Sequence, residues 1–76
     1  MQGAADALLV SAIKDAEQGV DYDRKEGAFC PFCGERAKVQ NTLAWAGSSR
    51  IRYHRCPNKR CPLYQLERSI KSVETV

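Results

Sequence analysis

The sequence predicts a small zinc-binding α+β fold: a zinc-ribbon-like antiparallel β-hairpin with a short third strand, preceded by an N-terminal amphipathic helix. Three observations carry that expectation. Four cysteines fall into two short pairs, Cys30-Pro31-Phe32-Cys33 and Cys56-Pro57-Asn58-Lys59-Arg60-Cys61, with 22 residues between the pairs. That interval has the texture of two strands around a turn, and the segment ahead of the first pair repeats its apolar residues at helical spacing. A chain of 76 residues is also too short for most enzyme folds. At that length a domain buries only about 60% of the surface its unfolded chain exposes, so a metal, disulfides or a partner must supplement the apolar core.

Ala5, Leu8, Leu9, Ala12, Ile13 and Ala16 recur at i, i+3, i+4, i+7, i+8 and i+11, the positions that line one face of a 3.6-residue helix. The pattern predicts a helix over about Ala4–Gln18, within an N-terminal unit of residues 1–19. Asp6 complements the dipole in its first turn and Gly19 marks its stop. An isolated helix of this length is marginal in water, so the stripe needs cover: its own domain, a second copy through self-association, or a protein partner. Residues 20–28 are polar and charged, with little to bury, and read as a linker.

The four-cysteine domain occupies residues 29–76. One strand is expected near Lys38–Ala44 and a second near Arg50–Arg55, where Ile51 and Tyr53 alternate with Arg50, Arg52 and His54. Gly47-Ser48-Ser49 forms the turn and Trp45 falls at the tip. Residues 62–70 are ambiguous, since Tyr64, Leu66 and Ile70 suit a strand while Leu63, Leu66, Ile70 and Val73 suit a helix. A short strand followed by a helical turn is the expectation adopted.

Two chelating loops joined by a hairpin are what a tetrahedral metal requires. Each short loop supplies two thiolates at small closure entropy, and the hairpin brings the loops together within about 2.3 Å of one centre. Cys30, Cys33, Cys56 and Cys61 are therefore the expected ligands, with Gly34 turning the chain back beneath the ion at positive φ. Zinc is the expected cofactor, as one structural ion, because all-thiolate tetrahedral sites are its usual structural home. A rubredoxin-like iron centre is the main competitor, but its second loop would repeat Cys-Pro-x-Cys-Gly, which Cys56–Cys61 does not. A dithiol redox motif would need a thioredoxin-like surround that this chain cannot hold. His54 could substitute for Cys56, although the cysteines alone satisfy the metal and a strand histidine facing solvent or a phosphate is the simpler reading.

Charge is divided along the chain. Residues 1–29 carry three basic and six acidic residues, whereas residues 30–76 carry nine basic and three acidic, for a net charge of +3 overall. Arg36, Lys38, Arg50, Arg52, Arg55, Lys59 and Arg60 lie in a stretch without an acidic residue, and a one-sign field of this kind attracts polyanions. Four thiolates with Zn2+ contribute −2 and still leave the region cationic.

The string Arg52-Tyr53-His54-Arg55-Cys56-Pro57-Asn58-Lys59-Arg60-Cys61, following Cys30-Pro31-Phe32-Cys33 at this interval, resembles the Ogr/Delta family of phage late-gene transcription activators. The likeness covers about residues 30–70, with Ala37 at a position where the family tends to have alanine. It departs from the family in its 29 residues before the first cysteine, in Gln40-Asn41-Thr42 where the family tends to have Arg-Thr-Ser, and in Tyr64, one position earlier than the family's aromatic. The resemblance implies that the four cysteines are ligands, that Arg52 and Arg55 belong to a basic segment, and that the protein binds DNA upstream of promoters and contacts the RNA polymerase α subunit.

Together these features lead to a zinc-binding, DNA-binding transcriptional regulator of phage or prophage type. Arg50, Arg55, Lys59 and Arg60 are expected on phosphates, and Arg52, Asn41 or Asn58 on base edges. Arg36 and Lys38 complete the candidate DNA-binding set. Trp45 is expected to stack on a base, enter a protein groove or cover the small core beneath the helix. The alternative is a zinc-ribbon adaptor that docks on a protein such as RNA polymerase without reading DNA, and RNA binding through Tyr53, Tyr64 and Trp45 is a third class. An enzyme is not expected, because a closed metal site, one histidine and no paired carboxylates offer no catalytic constellation. No small-molecule substrate, membrane span or secretory leader is expected, and reduced cysteines place the chain in the cytoplasm.

Overall fold

The computed structural model describes residues 3–76, with side chains from residue 7 onward. The elements are α1 (Gly3–Gln18), β1 (Val20–Asp21), β2 (Lys38–Thr42), β3 (Ser49–Arg55), α2 (Pro62–Gln65) and β4 (Ile70–Thr75). The strands form one four-stranded sheet in the order β1-β4-β3-β2. β3 pairs antiparallel with β2 and with β4, while β1 lies parallel to β4. The fold is thus α+β, as expected, with one strand more than the sequence reading supplied. Among the described residues no helix is long and apolar enough to cross a membrane.

Helix α1 covers the segment its periodicity predicts. Ala12 and Ala16 are buried, and Leu9 and Ile13 pack half-buried against the core. Leu8, a member of the predicted stripe, is instead 66% exposed, so the helix docks along β4 mainly through its C-terminal half. Ala5 and Asp6 lie outside the residues whose side chains are described. Gly19 stops the helix at φ +117°, and a Cβ there would stand 3.0 Å from Cγ2 of Val73. Both the backbone angle and the close approach of β4 demand glycine.

Residues 20–28 are not the linker expected from their composition. Val20 and Asp21 pair with Ser72 and Val73 as β1, and the Tyr22 amide donates to the Val73 carbonyl at 3.2 Å. The chain then turns on Asp23, whose carboxylate accepts from the amides of Lys25 and Glu26 at 2.7 and 3.2 Å. This is a local cap of the kind that makes aspartate a turn former. A two-residue parallel strand has too few residues to show alternation, which is why composition alone concealed it.

The hairpin stands where expected, with β2 ending at Thr42 and a register shift between Val39 and Asn41. β2 is an exposed edge strand, and its bulge and Lys38 disfavour pairing with another chain. Beyond the second cysteine pair the expected order is reversed, for helix α2 precedes strand β4. Pro62 follows Cys61 directly and supplies the fixed φ suited to a first helical position, and Gln65 donates its amide to the Cys61 carbonyl at 3.0 Å. Ile70, Ser72 and Glu74 are buried in alternation with half-buried Lys71 and Val73, the period of a strand with one covered face.

The core is small and largely sulfur. Its buried cluster is Ala16, Cys30, Ala37, Cys56, Cys61, Leu63 and Ile70. Leu63 and Ile70 are the only large aliphatic side chains in it, so the cysteines are structural members of the interior.

Candidate metal centre and the cationic surface around it

The first cysteine pair sits in a tight loop. The Cys30 amide donates to the Glu35 carbonyl at 2.8 Å, and the Gly34 amide returns to the Cys30 carbonyl at 3.0 Å. Gly34 adopts φ +79°, the turn that its place after Cys33 predicts. The Phe32 amide points at Sγ of Cys30 from 3.5 Å. The second pair closes on the Asn58 turn, where the Cys61 amide donates to the Asn58 carbonyl at 2.9 Å and the Arg60 amide to Asn58 Oδ1 at 3.0 Å. Strand β3 delivers Cys56 and helix α2 begins at Cys61, so both loops are anchored in regular structure.

The four sulfurs lie within 4.8 Å of one another. Sγ of Cys30 is 3.7 Å from that of Cys61, and Sγ of Cys33 is 3.4 Å from that of Cys56. Thiolates held about 2.3 Å from a tetrahedral ion stand about 3.8 Å apart, so these spacings are close to those of a metal site and far too long for disulfides. All four cysteines are free, and only Cys33 is less than fully buried. Burial pushes the Cys30 and Cys56 thiols above their ordinary range. At Cys33 burial acts in the same direction, but the Glu35 amide and the Cys56 and Asn58 side chains outweigh it and draw the thiol down. A cation among them reverses the cost of ionising the buried pair. The donor set fits a metal ion: four converging thiols, backbone amides aimed at sulfur, and no water-facing side except at Cys33.

His54 is not part of this constellation, nor does it face solvent. It is fully buried, with Nε2 2.7 Å from Oγ of Ser72. Its pKa is lowered, by burial first and by the nearby Arg52, against the pull of the Ala37 backbone. The fold therefore disfavours its protonated form.

The expected cationic surface is divided by the tertiary structure. Arg50, Arg52 and His54 do share one face of β3, but it is the covered face. Arg52 is only 8% exposed, with its guanidinium 4.0 Å over the ring of Tyr22 and Nη1 bonded to Oε1 of Glu74. Its expected role at a base edge is corrected accordingly: the side chain is an internal strut. Glu74 also accepts from Nε of Arg24 at 2.8 Å and lies 3.6 Å from Nη2 of Arg50. Its low exposure comes from these arginines rather than from a packed interior. Hydrogen bonding to Arg52, then to Arg24, holds its carboxyl below the usual carboxylate range despite desolvation. The run of cations without an acid in sequence thus gains one in space, from 22 residues beyond Arg52.

Arg36, Lys38, Lys59 and Arg60 are exposed and make no ion pair among the described residues. Arg55 lies 3.7 Å from exposed Glu67 and 5.1 Å over the ring of Tyr64. Trp45 remains at the hairpin tip, 41% exposed and beneath Arg50 at 4.9 Å, and does not cover the core. Tyr22, Ser72 and Glu74 were missed by sequence reasoning, because nothing in a linear pattern signals which distant acid enters a basic face. In comparisons with protein-family models, curated proteins and solved structures, nothing matches this chain.

Proposed function

We propose that the protein is a zinc-stabilised, zinc-ribbon-like DNA-binding module that acts in transcriptional regulation. Zinc is favoured over iron because the second loop, Cys56–Cys61, lacks the Cys-Pro-x-Cys-Gly form of a rubredoxin-like centre and is flanked by arginine. With four thiolates the ion has no open position for water or substrate, which makes its role structural. The observation that carries the DNA reading is the set of exposed cations without an ion pair among the described residues, Arg36, Lys38, Lys59 and Arg60, with Arg55 only loosely engaged. Solvated surface charge explains any one of them, but Lys38 on β2, Arg55 at the end of β3 and Lys59 in the cysteine loop border one groove beside Cys56, and cations gathered from anchored elements in this way suit a phosphate backbone. The transcriptional role rests on the resemblance to the Ogr/Delta activators, which also suggests an RNA polymerase α contact.

An adaptor that binds protein alone is the second reading, favoured by Leu8 and Val10 standing 66% and 52% exposed on α1. Duplex binding as a function of salt separates the two. Contacts to several phosphates make log affinity fall linearly with log salt, at about −0.9 per phosphate. Duplex affinity that is undetectable near physiological ionic strength, or indifferent to salt, rejects the DNA reading in favour of the adaptor.

A further inference from the structure

Beside the knuckle lies a groove of about 280 Å³ lined by Lys38, Gln40, Arg55, Lys59 and Tyr64, with Cys56 in its wall. Three cations from separate elements converge here: Lys38 from β2, Arg55 from the end of β3, and Lys59 from the cysteine loop. None is engaged by the Glu74 cluster. Arg55 is prepared but incompletely used. Its guanidinium rests 5.1 Å over the Tyr64 ring, and its buried Nε has no hydrogen-bond partner among the described residues. Among the described residues its one acidic neighbour is Glu67, at 3.7 Å and 78% exposed, a separation and exposure at which ion pairs are weak and exchangeable. Glu67 follows the α2 C-cap Leu66 at φ +54°, a conformation rare for a side-chain-bearing residue, and this turn places its carboxylate beside Arg55.

We infer that the groove seats one backbone phosphate of a bound DNA strand, and that the Glu67 carboxylate occupies that place on Arg55 until the strand arrives. This rests on the DNA-binding reading and assigns where the backbone is gripped. A guanidinium fork matches carboxylate and phosphate oxygens alike, so one can replace the other without rebuilding the site. Lys38 and Lys59 add charge that Glu67 does not use. Pockets for larger ligands run from about 300 to 1,000 Å³, so the groove suits a phosphate with part of its nucleotide and little more. Because Lys59 stands between two metal ligands, the grip depends on an intact centre. The three cations also outnumber the −2 charge of a zinc tetrathiolate, so balancing the metal does not consume them.

The test uses the full, metal-loaded chain and a short mixed-sequence DNA duplex, with affinity measured by fluorescence anisotropy across a salt series. Lys38→Gln and Lys59→Gln each weaken binding about tenfold and reduce the salt slope by about 0.9. Glu67→Gln tightens binding about two- to fivefold. Glu17→Gln makes the same charge change on an exposed position of α1 and leaves affinity near that of the unchanged chain. If the unchanged chain binds with a salt slope while both lysine variants bind equally well and as steeply, the groove assignment is wrong and the DNA reading stands. If the unchanged chain shows no salt-dependent binding, both fall. Equal tightening by Glu67→Gln and Glu17→Gln removes the stand-in role of Glu67. Loss of bound metal from the lysine variants, read by native mass spectrometry, reassigns those cations to the metal centre and overturns the inference.

Discussion

Stripping the metal is the perturbation with the largest expected consequence, and its size follows from the composition of the core. Leu63 and Ile70 are the large aliphatic members of the buried cluster, alongside Cys30, Cys56 and Cys61. Full burial of an aliphatic side chain contributes roughly 1.5–3 kcal/mol, so these two supply roughly 3–6 kcal/mol. Native stability for a chain of this length falls in the range of about 4–11 kcal/mol, whereas binding of structural zinc contributes about 10–16 kcal/mol near neutral pH. If the four cysteines hold zinc as proposed, the metal contribution would equal or exceed the whole margin, and chelation is expected to unfold the protein instead of merely loosening it. The buried thiols reinforce this, since without a cation Cys30 and Cys56 resist ionisation in their desolvated surroundings. The assay is native mass spectrometry of the purified chain, expected to show one zinc, followed by amide circular dichroism and a proton–nitrogen correlation spectrum through a titration with a high-affinity chelator. Folded signals should disappear in step with the metal and return on adding zinc. Dispersed amide resonances that persist in a metal-free sample would refute the reasoning, because the apolar cluster would then suffice alone.

Other outcomes follow from the same contacts. Leu63→Ala or Ile70→Ala, each at a fully buried site, should cost about 2–5 kcal/mol in denaturant titrations of the metal-loaded protein; a loss below about 1 kcal/mol would contradict the packing. Arg52→Ala should lower the melting temperature more than Arg50→Ala, since of Glu74's three arginine partners Arg52 is more buried than Arg50, at 10% against 28% side-chain exposure. Equal melting temperatures would show that the internal strut is not needed. Acid should destabilise the fold in two stages. His54, depressed in the fold mainly by burial, binds its proton less readily there than in the unfolded chain, which takes one up below about pH 6.5, so stability declines as pH falls from that point. Glu74, depressed chiefly by Arg52, contributes stability above the unfolded carboxylate value of about 4.3 that is lost as pH falls through its folded value. Relative to the unchanged chain at matched metal occupancy, His54→Gln should remove the upper stage and keep the lower, and an unchanged upper stage would assign it to another group. Trp45→Ala, at a 41% exposed tip, should alter stability by less than about 1 kcal/mol, and thermal melts showing a larger loss would place the indole in the fold's support.

Local chemistry was readable along the chain where spacing and structure coincide. The 3.6-residue period of Leu9, Ala12, Ile13 and Ala16 produced α1, the alternation through Arg50–Arg55 produced β3, and the two cysteine pairs met in one cluster. Each depends on residues close in sequence or on a hairpin that necessarily returns its ends together. The order of α2 and β4 was not readable, because Leu63, Leu66, Ile70 and Val73 satisfy either period over so short a span. Pro62 and the packing of Ile70 against the sulfur cluster decided it.

Sequence by itself therefore determined the meeting of the four cysteines, the amphipathic helix, the hairpin and the surplus of positive charge, all of which are properties of spacing and composition. Tertiary structure alone decided what that charge can do. By pairing β4 between β1 and β3, it carried Glu74 onto Arg24, Arg50 and Arg52 and enclosed His54 against Ser72. Lys38, Lys59 and Arg60 were left facing outward beside the cysteine loop. The physical reason is that Coulomb energy depends on separation in space and on local solvent. A carboxylate 50 residues from Arg24 can accept its hydrogen bond, and only the fold brings the two within reach.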